Sequence, residues 1–557
     1  MAIHKKNMLD TTLTDHQNRL KNSVNRLTRI IQSHANENGY INTVPQEILI
    51  YLHTLNWLRV HGHPDHVVKM IPFGANSPHA YLMPLFSALP SDSDFIRRYL
   101  DHWFSQKNQD SRRERILWSL SACNADRDLL SNEINATWQR FNTLTNDKQQ
   151  RIRLIQKRQK QEDQDTLGSL DQQRLALIDQ LPDIHHKPIT KIGLIPVMSC
   201  PESCPHCMFV WRTPMKQTPD PGPLFEAVNK HTRATLFTGG DLTPHLNHFY
   251  RAIRQMDQLG QFAILLNGSF AESDKATERV FQKLDRALNQ RPANAVPAQI
   301  TVQISFDEFH QQRIFNRHGE AYERIPVENI ARIVNQAVHF SRIRLSLIHK
   351  QNPLNFSNDL FKKGVFGRLA EALGKKGHTV KVLQIVPSHR PKKHPITGVN
   401  APVIREAVFV LEHQPNRPVH FMSSTLDAYG RAALVDESDY VNERDYLQTI
   451  LNHGPPADDA FDTDPMVWFN GRITLFSAIH IALGDVLQEG FDAVINRWHK
   501  DPLRHALERF DPVLLKTYGT LYDDLDQIKA RATGPHYLFH QITKTPEARL
   551  ALTKALL

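Results

Sequence analysis

The strongest constraint on the fold of this 557-residue chain is a run of short β-type segments that alternates with longer amphipathic helical segments from about residue 187. Strands that alternate with helices are joined by right-handed crossovers and form a parallel sheet. The pattern therefore predicts an α/β fold, either an open sheet or a partial barrel, with active residues at the carboxyl ends of the strands. The predicted strands are KIGLIPVM (191–198), ATLFT (234–238), FAILLN (262–267), ITVQIS (300–305), IRLSLI (343–348) and TVKVLQIV (379–386).

The length of the chain predicts more than one domain, because single hydrophobic cores stop growing at about 250–300 residues. Residues 1–185 have helical apolar spacing and little β-type alternation, which predicts a helical N-terminal domain. The break at LPDIHHKP ends this region, so the α/β domain is assigned to 186–400. The remaining residues, 401–557, are predicted to form a mixed, mostly helical extension with a hairpin that turns at Asn470-Gly471 and two or three helices after it.

Charge and hydropathy narrow the range of partners. A formal net charge of +9 is a small excess for so long a chain, so a nucleic-acid partner stays open but is not favoured. The charged run at 147–165 is interpreted as a solvated helix face rather than an RNA-binding strip. No apolar run approaches the ~18–20 residues of a membrane helix, and no secretory signal is recognised. We therefore expect a cytoplasmic protein with no membrane partner.

Three of the four cysteines fall within eight positions, at Cys200, Cys204 and Cys207. In a reducing compartment, clustered thiols indicate a metal site or catalysis rather than disulfides. Their spacing, C-x3-C-x2-C, follows the first predicted strand, and thiolate-rich sites suit zinc or iron–sulfur clusters. Structural zinc normally takes four protein ligands, and Cys123 lies in a separate region. A [4Fe–4S] cluster held by three cysteines has one iron left open.

Two further motifs end predicted strands. The second strand ends in Thr238-Gly239-Gly240-Asp241, where glycine permits close backbone approach. The fourth ends in SFDEFH, in which Ser305 and Asp307 share one face at strand spacing. Polar residues at strand tips are candidates to face a substrate, although a histidine at a strand end is more often a satisfied structural group; these candidates are Glu308, His310 and His349.

Taken in this order, the motifs resemble those of the radical S-adenosylmethionine (radical SAM) superfamily over about residues 187–400. The resemblance implies a partial (β/α)6 barrel whose three cysteines bind a [4Fe–4S] cluster. It also implies an enzyme that reductively cleaves S-adenosylmethionine to a 5′-deoxyadenosyl radical, which abstracts hydrogen from a substrate. An electron donor such as flavodoxin or ferredoxin is then expected.

The same resemblance implies roles for individual residues. The Thr238–Asp241 backbone corresponds to the segment that holds the methionine amino group, with Asp241 in place of the usual glutamate. Ser305 and Asp307 correspond to groups that contact the ribose or methionine, and Arg317 to a partner of the methionine carboxylate. The residues that correspond to the adenine environment are His206, Ile385 and Val386.

The C-terminal extension resembles a SPASM tail that has lost its cysteines, which favours a peptide or protein substrate over other substrates. Modification of RNA or a small metabolite remains an alternative, as does a non-catalytic iron–sulfur or zinc scaffold. The segment LDAYGRAALV resembles a Gly-Arg-Ala element found after the barrel in several relatives. The sequence predicts only a turn with a cation there.

Overall fold

The computed structural model describes residues 167–557 with short gaps, the longest of which covers 209–219. Predictions for 1–166, which include nearly all of the helical N-terminal domain, fall outside the described residues. The boundaries at 185 and 400 stay predictions.

The described residues form a mixed α/β fold on one sheet of eleven strands, whose order is β15-β14-β13-β1-β2-β3-β4-β7-β12-β11-β8. In chain order the strands, with two small pairs outside the sheet, are β1 (Ile192–Ile195), β2 (Ala234–Phe237), β3 (Gln261–Leu266), β4 (Gln299–Ser305), β5 (Arg313–Phe315), β6 (Ala321–Glu323), β7 (Ile343–Lys350), β8 (Val380–Pro387), β9 (Lys392–Lys393), β10 (Asn400–Ala401), β11 (Ile404–Leu411), β12 (Val419–Ser424), β13 (Pro465–Trp468), β14 (Arg472–Leu475) and β15 (Ala482–Asp485). From β13 to β12 neighbouring strands are parallel, and the outer strands pair antiparallel.

Helices separate the parallel strands and continue to the C-terminus of the described residues. They are α1 (Ser169–Asp179), α2 (Gly222–Asn229), α3 (Leu246–Gln255), α4 (Asp274–Asn289), α5 (Val327–Ala337), α6 (Gly364–Lys375), α7 (Arg444–His453), α8 (Val486–Glu489), α9 (Phe491–Lys500), α10 (Pro502–Glu508), α11 (Pro512–Leu521), α12 (Leu525–Arg531), α13 (Pro535–Ile542) and α14 (Pro546–Leu556). Helix α4 shows why these segments are helical. Ser273 caps its first turn by accepting a hydrogen bond from Ala276 N at 3.2 Å, and its apolar stripe buries Phe281 and Leu284.

Alternation along β4 explains how the sheet can carry a site. Ile300, Val302 and Ile304 are buried in the hydrophobic core that the helices complete. The intervening Gln303 and Ser305 point to the opposite face, where they line a cavity. One face of the sheet therefore stabilises the fold, and the other is left for chemistry.

The first five predicted strands are confirmed as parallel neighbours in the sheet, but the position expected for the sixth is wrong. The segment predicted at 379–386 does form β8, yet β8 is the outermost strand and pairs antiparallel with β11. The place beside β7 belongs to β12, which pairs parallel with it. Apolar alternation identifies a strand but not its partner, because parallel and antiparallel strands share the same period.

The C-terminal helices enclose α1 through two buried ion pairs. Arg174 pairs with Asp501, and both side chains are inaccessible to solvent. Arg549 Nη2 lies 2.6 Å from the carboxylate of Asp171. Helix α1 thus packs on the end of the chain although more than three hundred residues separate the partners.

A histidine pair between β14 and the last helices makes this region sensitive to acid. The ring centroids of His480 and His540 lie 4.4 Å apart. Burial, aided by nearby Lys544, lowers the pKa of His540 to about 3. Burial beside His540 also lowers the pKa of His480. Both imidazoles are therefore neutral in the folded protein at neutral pH.

We predict that this pair costs stability as the pH falls. In the unfolded chain His540 takes up a proton near pH 6.5, whereas in the folded protein it does so only near pH 3. The free energy of unfolding is therefore unaffected by His540 above pH 6.5 and falls below that pH, because protons bind preferentially to the unfolded chain. The loss should be about 2 kcal/mol at pH 5. Melting temperatures measured from pH 7.5 to 4.5 should fall less for His540→Gln than for the unmodified protein. Exposed His453→Gln is the control and should leave the slope unchanged.

None of the described helices combines the length and apolar character needed to cross a membrane.

Candidate functional site

A cavity of about 370 Å³ opens at the carboxyl ends of β1 to β4. Its walls come from loops that are far apart in the sequence, because parallel strands end at the same edge of a sheet. The predicted site residues on these walls are Cys200, Cys204, His206, Cys207, Thr238, Gly239, Gly240, Asp241, Ser305 and Asp307.

The cysteines lie on the loop that follows β1. Cys204 is buried with 7% of its surface exposed, and Cys200 and Cys207 are half-buried. Cys207 N donates a hydrogen bond to Cys204 O at 3.4 Å, which folds the loop into a turn. Three soft thiol donors therefore face one cavity.

The Gly239-Gly240-Asp241 segment is attached to the chain that leads into this loop. Gly240 N donates to Val197 O at 3.1 Å, and Asp241 N donates to Ser199 O at 2.9 Å. A Cβ on Gly240 would lie 2.7 Å from the carbonyl carbon of Met198, so no side chain fits. The glycine thus allows the two loops to approach each other.

Asp307 is 1% exposed and shapes the tip of β4. Its Oδ1 accepts hydrogen bonds from Phe309 N at 3.0 Å and His310 N at 2.8 Å, and His310 Nδ1 lies 3.0 Å away. Burial would raise the pKa of Asp307, but the imidazoles of His310 and His206 outweigh it, and the pKa lies well below its ordinary value. The carboxylate is therefore ionised, and its Oδ1 is hydrogen-bonded mainly to residues of the same turn.

His206 links the cysteine loop to this tip. Its ring stacks on Phe309 at a centroid distance of 5.0 Å and meets His310 edge-on at 4.3 Å. One ligand-type atom from each of His206, Asp307 and His310 falls within 4.8 Å of the others, a spacing that can hold a metal ion. His310 and Asp307 already contact each other directly, so these two groups are paired without an ion.

Not every predicted residue is found on the cavity wall among the described residues. Arg317 lies outside the described residues. Ile385 and Val386 belong to β8 at the sheet edge, so the structure does not bring them to the cavity. Of the three strand-tip candidates, only His310 lines it.

The other two strand-tip candidates have structural partners. Glu308 accepts a hydrogen bond from Val365 N at 2.9 Å. His349 is buried, with Nδ1 2.8 Å from Phe306 O and Nε2 3.0 Å from Asn355 Oδ1. These hydrogen bonds stabilise the start of α6 and the end of β7, so Glu308 and His349 have structural roles.

Two charged residues on the wall were missed by the sequence reasoning. Glu202 lies between the first two cysteines, and burial raises its pKa against the opposing charge of Arg324, whose Nη1 is 3.7 Å away. Its position inside the cysteine motif was a usable signal. Lys350 ends β7 and donates to Ser424 Oγ at 3.0 Å.

Part of the apolar wall comes from the C-terminal extension. Met466 on β13 and Phe476 and Ile479 after β14 line the cavity. Strand β13 reaches this place because it pairs parallel with β1, with Met466 beside Gly193. No sequence signal linked this segment to the cysteines, since almost three hundred residues separate them.

Comparisons with known proteins identify no family for the chain. No family model matches it, and no curated protein does. Among solved structures, Streptococcus suis SuiB bound to precursor peptide SuiA aligns with a TM-score of 0.23 and 10% identity. The alignment covers 54% of this chain and 62% of SuiB, which is less than two thirds of that protein. A similarity of this size establishes neither a shared fold nor a shared activity.

The residues present fit a three-cysteine iron–sulfur cluster. The donor set consists of thiols, and the fourth cysteine of the chain, Cys123, lies outside the described residues. The cavity continues from the thiols past Gly240 to Ser305, which leaves room beside them for a second group. The arrangement therefore suits a cluster with one open coordination position and a ligand next to it.

Proposed function

We propose that the chain is a radical SAM enzyme that modifies a peptide or protein. One observation carries the proposal: three motifs from the ends of β1, β2 and β4, each singled out from sequence, line a single cavity. The parallel sheet accounts for the convergence of these loops, and the proposal is supported by the chemistry that they bring together: three thiols, a Gly-Gly-Asp turn and a Ser-x-Asp element on one wall. We propose further that β1, β2, β3, β4, β7 and β12 are the six strands of the partial barrel, which would extend the barrel beyond residue 400.

In this proposal Cys200, Cys204 and Cys207 hold a [4Fe–4S] cluster, and the wall from Thr238 to Ser305 holds S-adenosylmethionine. When bound, the cluster supplies one-electron reduction of the sulfonium group. Asp307 keeps His310 in place through its ionised carboxylate. The apolar side chains on the wall limit the access of water to the reacting groups.

The peptide substrate is proposed from the C-terminal extension. The hairpin of β13 and β14 resembles part of a SPASM tail, and the hairpin and the residues after it bring Met466, Phe476 and Ile479 to the cavity wall. A side chain presented by a peptide would enter the cavity beside these apolar residues. Flavodoxin or ferredoxin remains the proposed electron donor, and a cytoplasmic location remains a prediction.

A non-catalytic metal scaffold is the second candidate, and the proximity of His206, Asp307 and His310 favours it. This reading predicts a single bound ion and no turnover. The two candidates differ in metal content and in chemistry, so one preparation can separate them.

The test is anaerobic reconstitution of the full chain with iron and sulfide, followed by reduction in the presence of S-adenosylmethionine. We expect about four irons per chain and formation of 5′-deoxyadenosine. Zinc at one per chain with no 5′-deoxyadenosine would instead support the scaffold and contradict the enzyme.

A further inference from the structure

Gly430 and Ala432 of the Gly-Arg-Ala element contact the end of the cysteine loop. Gly430 has a φ of +63°, and a Cβ there would collide with the carbonyl of Met208 and lie 3.0 Å from its Cα. Ala432 N donates a hydrogen bond to Cys207 O at 3.2 Å. Both contacts are made to backbone atoms, so they fix the path of the chain at the third cysteine rather than one side chain.

The other end of the loop is held in a similar way by a different segment. Asp241 N donates to Ser199 O at 2.9 Å, and Gly240 packs against the same carbonyl. The loop from Cys200 to Cys207 is thus attached at both ends, each time by one amide donor and one glycine without space for a side chain. The first attachment involves a motif identified from sequence, whereas the second had no assigned role.

A small hydrophobic cluster supports the second attachment. Ala432 is fully buried and packs with Phe309, Leu426 and Tyr440, apart from the main core. Phe309 in turn stacks on His206, which precedes Cys207. The element therefore joins the cysteine loop to the tip of β4.

We propose that Gly430 and Ala432 position Cys207 for metal binding. This inference rests on the proposed function, because the three cysteines are taken to bind one cluster. A side chain at Gly430 would displace Met208 and, with it, the thiol one residue earlier. The Cys200 thiol would keep its geometry, since its end of the loop is held by the Gly240 segment.

Gly430→Ala, compared with Gly454→Ala, tests the proposal. Gly454 follows α7 with a φ of +77° and has no atom within 4 Å of its Cβ position, so it shares the backbone strain without the collision. After anaerobic reconstitution, we expect roughly ten-fold faster loss of iron to a chelator from Gly430→Ala, together with an altered electron paramagnetic resonance signal. Gly454→Ala should match the unmodified protein in both measurements.

A second measurement uses the protein without metal. The rate at which a thiol reagent alkylates each cysteine, mapped by mass spectrometry, should change for Cys207 and not for Cys200 in Gly430→Ala. Because this measurement needs no cluster, it tests the positioning contact even if the unmodified protein binds no iron and the proposed function fails. Unchanged iron retention and an unchanged alkylation pattern would overturn the inference.

Ala432→Val provides an independent variant at the same attachment. It enlarges a fully buried side chain and moves the Ala432 amide away from Cys207 O while the turn at Gly430 is kept. We expect the same selective change at Cys207. If both variants lose their circular dichroism signal while Gly454→Ala stays folded, the segment supports the whole fold and the specific inference is wrong.

Discussion

Cys204→Ala is expected to abolish 5′-deoxyadenosine formation and to reduce bound iron to background. Cys204 is the most buried of the three thiols on the cavity wall. With two thiolates left, an iron–sulfur cube has two vertices without protein ligands. The measurement is iron content and product formation after anaerobic reconstitution, with circular dichroism to confirm folding.

Cys123→Ala is the matched control, because it removes the remaining cysteine of the chain and leaves the C-x3-C-x2-C motif intact. It should retain iron and product formation at the level of the unmodified protein. If Cys204→Ala still produced 5′-deoxyadenosine, the three-cysteine assignment would be wrong. If Cys123→Ala abolished it, the cluster would require a fourth cysteine.

The central strands could be predicted because each is a short apolar segment buried against helices. The predicted ATLFT and ITVQIS match Ala234–Phe237 and Gln299–Ser305 within a residue. The hairpin expected at Asn470-Gly471 is also present, with Gly471 at a φ of +87° between β13 and β14. Local composition was sufficient wherever neighbours in sequence are neighbours in the sheet.

The sequence reasoning failed where partners are distant. The sixth predicted strand, β8, is an edge strand because β11 and β12 lie between it and β7. Neither β11 nor β12 was predicted from the sequence. The region after β15 contains seven described helices rather than the two or three expected. Asp501-Pro502 and Asp511-Pro512 explain the difference, because each aspartate caps a new helix whose first residue is proline.

The site divides in the same way. The three motifs were predictable because each carries its own local signature and because parallel strands bring their carboxyl ends together. Phe476 and Ile479 were not, since their place on the wall depends on the parallel pairing of β13 with β1. Gly430 was noticed but not understood, because its constraint comes from the backbone of Met208 rather than from its own sequence context.

Asp501→Asn is expected to lower the free energy of unfolding by about 3–5 kcal/mol, because it leaves a buried guanidinium without its countercharge. Arg174 and Asp501 are both inaccessible to solvent, and Arg174 Nε also donates to Thr553 Oγ1 at 3.2 Å. Asparagine retains the side-chain oxygen that accepts from Leu503 N at the start of α10, so the helix cap is preserved and the lost charge is isolated.

The comparison for this variant is Glu437→Gln, which breaks the ion pair between Glu437 and Arg444. Those side chains are 48% and 39% exposed, so water screens the pair and the cost should stay below about 1 kcal/mol. Urea unfolding followed by circular dichroism measures both variants. Equal destabilisation by the two variants would show that water reaches Arg174 even when α1 packs on the C-terminal helices. A larger loss for Asp501→Asn would show that the packing of α1 depends on the buried ion pair between Arg174 and Asp501.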